Sequence, residues 1–169
     1  MTLAVDVSAF GKAMPKPTDW TSDDWATPPE IVRAFEVEFG PFDLDVCARP
    51  ETKKAPRCYT KDVDGLAQRW VGRVWMNPPF SDPTPWVRKA HEETSTGSAA
   101  LVVALLPAAT DTAWFHDYVL GKAELRFRRG RIKFIGWKGT PIGSPKAGTV
   151  FAIYRRKALA GDPRPAGEP

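Results

Sequence analysis

Ala99 to Leu106 reads Ala-Ala-Leu-Val-Val-Ala-Leu-Leu, an apolar run without the polar alternation of a half-solvated strand. It predicts a central parallel strand buried on both faces, the middle of a sheet. Upstream, Arg73 to Met76 (RVWM) reads as another strand, ended by Asn77-Pro78-Pro79 because proline cannot donate to a ladder. Between the two, Ser81 or Asp82 can cap a helix through about Thr94, with Gly97 as its stop. Phe42 to Val46 (FDLDV) is a short strand. Before it, Thr27-Pro28-Pro29-Glu30 combines a capping box with a first-turn proline, predicting a helix over about 28–39. Downstream, Thr110-Asp111 opens a helix ending at Gly121, and alternating strands follow at Glu124–Arg128, Arg131–Ile135 and Thr149–Arg155. Alternating strand and helix predict an α/β fold: a mostly parallel sheet with antiparallel C-terminal strands in a single compact domain. The expected division is a flexible segment 1–22, a core 23–156 and a disordered Pro/Gly/Ala-rich tail 157–169.

Composition narrows the function classes. The 169 residues are 43% hydrophobic and carry 24 Lys+Arg against 20 Asp+Glu, as in one ordinary globular domain. No run reaches the roughly 18 apolar residues of a membrane span, and the first residues lack a secretory pattern. Two cysteines without a CxxC and two histidines, His91 and His116, assemble neither a disulfide framework nor a zinc site, so no metal is expected and a reducing cytoplasm fits. Residues 1–85 hold 10 basic and 13 acidic side chains, whereas residues 86–169 hold 14 and 7. The second half therefore faces an anion. Seven basic residues lie within Lys122–Lys138, interleaved with Phe127, Phe134 and Trp137. Basic plus aromatic side chains hold phosphates and stack bases, and the same pattern also describes a solvated strand face over a core.

The residues richest in chemistry are Asn77-Pro78-Pro79-Phe80, at the carboxyl end of a strand, where open α/β sheets place ligands. The prolines fix the backbone, so that the Asn77 side-chain oxygen and the Pro78 carbonyl can converge on one planar amino group. Two such acceptors stabilise positive charge growing on a nitrogen as it attacks a methyl sulfonium, and Phe80 offers a ring for a base. Between Gly40 and Gly65 there is no glycine, which excludes a dinucleotide fingerprint, and no GxxxxGK[ST] occurs.

Asn77 to Phe80 after a hydrophobic strand resembles the motif of S-adenosylmethionine-dependent amino-methyltransferases. The wider order is similar to that of the small phage-type, Dam-like DNA N6-adenine methyltransferase family: Asp24-Trp25-x-Thr27-Pro28, then FDLDVCA (42–48), Asp64-Gly65-Leu66, NPPF, and Gly130-Arg131-Ile132-x-Phe134. The resemblance covers about residues 24–154. It implies a Rossmann-like S-adenosylmethionine-dependent methyltransferase fold, in a bacterial or phage-infected host cell, acting on adenine N6 in double- or single-stranded DNA by base flipping. Asn77 and the Pro78 carbonyl would accept from the adenine amino group, Pro79 would fix the turn, and Phe80 would stack on the extruded base. Asp45 would approach the methionine end of the cofactor, with Asp43, Cys47 and Ala48 shaping that loop. Trp25, Thr27 and Pro28 would cap the cofactor from the N-terminal side, and Asp64 would be a further cofactor-side acid, alongside Asn77.

Similar tetrapeptides occur in RNA and protein-glutamine methyltransferases, and a non-catalytic DNA-binding protein of the same fold is a third reading. The core leaves no room for a separate target-recognition domain, so recognition falls to loops: Ser81–Pro85 and the basic stretch Arg128–Lys146. Within it, Arg128, Arg129, Arg131 and Lys133 are the expected phosphate contacts. A homodimer would enlarge that surface, but no residue pattern shows one.

Overall fold

The computed structural model describes residues 18–136 and 139–156; Trp137, Lys138 and the segments read as a flexible start and a disordered tail, apart from 18–22, lie outside them. The elements in chain order are α1 (Pro29–Phe39), β1 (Leu44–Asp45), β2 (Arg57–Cys58), β3 (Gly72–Met76), α2 (Thr84–Ser95) and β4 (Ala99–Pro107). After them come α3 (Ala113–Tyr118), β5 (Glu124–Phe127), β6 (Phe134–Ile135), β7 (Pro141–Gly143) and β8 (Thr149–Arg155).

The main sheet has the order β2-β1-β3-β4-β8-β5, with parallel pairs up to β4 and antiparallel pairs on both sides of β8. Five strands thus run one way and β8 alone is reversed. β4 shows why its sequence lacks alternation. Val102, Ala104 and Leu106 pack toward α2 and α3 with Val87, Ala90 and Phe115, whereas Leu101, Val103 and Leu105 pack toward α1 with Ile31, Val32 and Phe35. Both faces are dry, so both sets must be apolar. The strand is parallel to β3 on one side only; its other neighbour is the antiparallel β8.

Several boundaries differ from the sequence expectation. Residue 28, not Thr27, is the cap of α1, and it makes no side-chain cap bond; the capping box was a coincidence of spacing. α2 starts after Pro83, because Ser81 is engaged elsewhere: its Oγ and N–H both donate to the Asp23 carboxylate, at 2.6 and 3.2 Å. α3 begins at Ala113 rather than at Thr110-Asp111. The strand expected at Arg131–Ile135 shrinks to β6, which leaves the main sheet and pairs with β7 in a stretch read as loop. Order also reaches back before residue 23, since Trp20 is buried with the Arg49 guanidinium 4.9 Å from its ring centroid. Among the described residues, no helix is long and apolar enough to cross a membrane.

Candidate active site

Two cavities open at the carboxyl ends of β1 and β3 and meet at Asn77. The first, about 220 Å³, is bounded by the 23–27 segment, the loop after β1, the 59–65 loop and the start of the NPPF turn. The second, about 430 Å³, lies between Ser22, Asp23, Trp25, Pro78, Phe80, Phe134 and residues 144–146. The tetrapeptide is divided between them: Pro79 lines the first, Pro78 and Phe80 the second, and Asn77 both.

Asn77 follows the last residue of β3, so the strand itself delivers it to the junction. Its Nδ2 donates to the Trp25 carbonyl at 2.8 Å, while its buried Oδ1 has no partner among the described residues. A buried acceptor without a donor is costly, and Asn77 carries it at a position that lines both cavities. The Trp25 segment is held by a bridge in which the Ala26 and Ile135 backbones exchange hydrogen bonds of 2.8 and 2.9 Å. Phe80, Phe134 and Trp25 form aromatic walls, Phe134 lying 6.0 Å from Phe80 edge-on and 6.2 Å from Trp25.

In the first cavity Asp45 is buried at the end of β1. Its Oδ1 accepts from the Cys47 N–H at 3.2 Å and its Oδ2 from the Lys54 N–H at 2.9 Å. One carboxylate therefore gathers the loop that in dinucleotide folds is built from glycines. Burial pushes its pKa up to about 6, against the pull of those two N–H groups and of the Lys54 charge. Lys54 is half-buried, and burial holds its ammonium below the usual lysine value despite the nearby Asp45 and Glu30. Burial, with Asp45 adding to it, pushes the Cys47 thiol up, so it stays protonated and serves as a filler in the cavity wall.

Sequence reasoning missed the salt-bridged floor of this cavity. Asp24 is buried, accepting from Arg49 Nε at 2.7 Å and lying 3.0 Å from Lys61 Nζ, and its second oxygen accepts from the Thr21 N–H at 2.8 Å. Burial opposes its ionisation, but these donors outweigh it and leave the carboxyl below its usual range. No local spacing links Asp24 with Arg49 and Lys61, so only the fold brings them together.

Of the cofactor candidates, Trp25, Thr27, Asp45, Cys47, Ala48, Asp64 and Asn77 line the first cavity. Pro28 and Asp43 do not. The Asp43 carboxylate accepts from the Arg73 N–H at 2.8 Å at the other end of β1 and β3, where Gly72, at φ +85°, lies so close that an added Cβ would stand 2.6 Å from Asp43 Oδ2. Asp64 is exposed, has a left-handed φ of 53°, and its Oδ1 closes a turn on the Leu66 N–H at 3.1 Å. The following Gly65 is required by space, since a Cβ would stand 2.4 Å from the Val46 carbonyl oxygen. Of the basic candidates, Arg128, Arg129 and Lys133 are exposed. Arg131 is occupied within the protein: its Nη1 donates to the carbonyls of Pro145, Lys146 and, at 3.1 Å, Ala147.

A sheet whose single reversed strand lies next to its outer edge, with ligand cavities at the carboxyl ends of the parallel strands, defines a Rossmann-like methyltransferase fold. The chain belongs to the DNA N-6-adenine-methyltransferase (Dam) family, whose model matches residues 15–160. It is 33% identical over 156 residues to a DNA N-6-adenine-methyltransferase of Escherichia phage T1, covering 81% of this chain and 64% of that one. It is 35% identical over 116 residues to a DNA N-6-adenine-methyltransferase of Haemophilus phage HP1, covering 67% and 66%. The chain thus spans just under two thirds of the length of these relatives. Among solved structures, the 23S rRNA methyltransferase ErmE superposes with a TM-score of 0.48 at 12% identity, over 79% of this chain and 70% of that one.

Proposed function

We propose that this protein transfers a methyl group from S-adenosylmethionine to the exocyclic N6 of adenine in DNA, with the cofactor in the first cavity and the extruded base in the second. The observation that carries this reading is the unpartnered Asn77 Oδ1 at the junction of the two cavities. Relatives bearing the name DNA N-6-adenine-methyltransferase support the choice of base and nucleic acid.

The first cavity suits a ligand that is zwitterionic at one end and flat at the other. Asp45 and Lys54 offer opposite charges, Trp25, Trp75 and Trp86 offer aromatic walls, and the buried Thr27 hydroxyl has no partner among the described residues. When bound, S-adenosylmethionine supplies a methyl group activated by its sulfonium. Asn77 Oδ1 and the Pro78 carbonyl accept the two N6 hydrogens, which orients the amino group and stabilises the positive charge that grows on it. Trp25, Phe80 and Phe134 hold the base between apolar rings and keep water from it. No side chain needs to act as a nucleophile, in keeping with a protonated Cys47.

The raised pKa of Asp45 has a measurable consequence. A carboxyl at about 6 in the folded protein, against 3.8 as its ordinary value, contributes stability that is fully present below about pH 4 and is lost as pH rises through 6. A ligand ammonium favours the ionised form and reverses this preference. Cofactor affinity should therefore weaken as pH falls from 7.5 to 5, with release of up to one proton on binding near pH 6, measured by calorimetry in buffers of different ionisation enthalpy. A flat pH profile would remove Asp45 from the cofactor's cationic end.

Arg128 and Arg129, exposed at the end of β5, are expected to contact phosphates. Reversing both charges to glutamate should weaken DNA binding by at least tenfold at low salt and flatten its salt dependence. Unchanged affinity would place the DNA elsewhere.

The reaction itself is tested by incubating the protein with S-adenosylmethionine and unmethylated single- and double-stranded DNA, then quantifying N6-methyladenine by mass spectrometry. Formation of that base supports the reading. Cofactor binding without methylated DNA would redirect it to RNA or protein acceptors.

A further inference from the structure

Residues 144–146 form one wall of the larger cavity, facing Asn77, Pro78 and Phe80. This wall has no regular secondary structure of its own. It follows β7, a three-residue strand, and its backbone carbonyls are gathered by a single guanidinium group: Arg131 Nη1 reaches those of Pro145, Lys146 and Ala147. Capture of three successive carbonyls by an always-charged planar group fixes the path of the loop. Arg131 stands just before buried Ile132 and Phe134, which anchor it to the α1 side of the core. The same β6 segment holds Ala26 through Ile135, and hence the Trp25 carbonyl that orients Asn77.

The loop presents Lys146 at the rim of the cavity. Lys146 is exposed and its ammonium has no hydrogen bond or ion pair among the described residues. The other charged residue lining the cavity, Asp23, already accepts from the Ser81 N–H and hydroxyl. A fixed backbone carrying one free cation beside an aromatic base cavity is the arrangement for holding the phosphate of a nucleotide whose base lies inside.

Resting on the reading of this cavity as the base site, we infer that Lys146 grips the phosphate next to the extruded nucleotide and that Arg131 is the residue that positions it. Arg131 is then no independent DNA contact, which reverses its sequence-based role.

The two roles are separated by a double-mutant cycle on the full chain, measuring binding to a DNA duplex from 50 to 200 mM salt, with DNA KM and kcat. Lys146→Ala should weaken binding about tenfold at low salt and lower the slope of log affinity against log salt by about 1. It should raise KM for DNA while leaving kcat at saturating DNA, and the dissociation constant of S-adenosylmethionine, unchanged; Lys146→Arg should restore both binding and slope. Arg131→Ala should produce the same loss, and the double variant should be no weaker than the weaker single one. An unchanged slope in Lys146→Ala overturns the phosphate contact. Additive losses, with a slope reduced by about 2 in the double variant, overturn the positioning role and make Arg131 a contact in its own right. Failure of the unaltered protein to form N6-methyladenine in DNA would instead overturn the reading of the reaction, an outcome distinct from either of these.

Discussion

Asn77→Ala is expected to lower turnover by roughly 10²- to 10³-fold, the effect of removing one preorganised hydrogen-bonding group from a site where charge develops. The dissociation constant of S-adenosylmethionine should change by less than about threefold, because the charged end of the first cavity is untouched. The loss should fall on kcat and on kcat/KM alike, since the Oδ1 acceptor matters most when the nitrogen becomes positive. Asn77 also donates to the Trp25 carbonyl, so the variant loosens the 23–27 segment. Asn77→Asp separates the two contributions. It keeps an acceptor toward the base but removes the donor to Trp25, so a variant as inactive as alanine would show that orientation of the amide matters as much as its oxygen. Turnover within threefold of the unaltered protein in Asn77→Ala would show that Asn77 is not the acceptor.

The second large effect is expected at Asp45. Asp45→Ala should weaken S-adenosylmethionine binding by 10- to 100-fold, about 1.4–2.7 kcal/mol, measured by calorimetry at pH 7.5. It removes the acceptor of the Cys47 and Lys54 N–H groups together with the negative charge near the cationic end of the ligand. Unsatisfied N–H groups cost about 1–3 kcal/mol each, and this loss is offset at neutral pH because the buried carboxylate itself is costly. The melting temperature should therefore move less than the affinity. Asp45→Asn retains one acceptor and loses the charge, so it should bind weakly and without the pH dependence near 6. An unchanged dissociation constant in either variant would move the cofactor away from β1.

The local chemistry of the chain already specified much of this. The dry run of β4, the RVWM strand before NPPF and the alternating order of elements are readable because hydrophobic periodicity and proline act within a few residues. The order of motif blocks carried the family. Asn77, Asp45, Trp25 and Phe80 could be singled out for the same reason, each lying in a short segment of distinctive residue types, and all four line one or both cavities.

Tertiary structure alone decided the rest. Thr27 satisfied a capping pattern, yet its hydroxyl ends buried in the first cavity with no hydrogen-bond partner among the described residues, because packing of the 23–27 segment against β6 overrides a spacing rule. Arg131 looked like its neighbours Arg128 and Arg129 in a basic stretch, but the return of residues 145–147 gives it three carbonyls to bind. The ion pairs of Asp24 with Arg49 and Lys61 join residues 25 and 37 positions apart. A sequence displays which side chains are available and what their neighbours in the chain require. Which of them remain unpaired in a cavity depends on which distant groups the fold has already brought within hydrogen-bond distance.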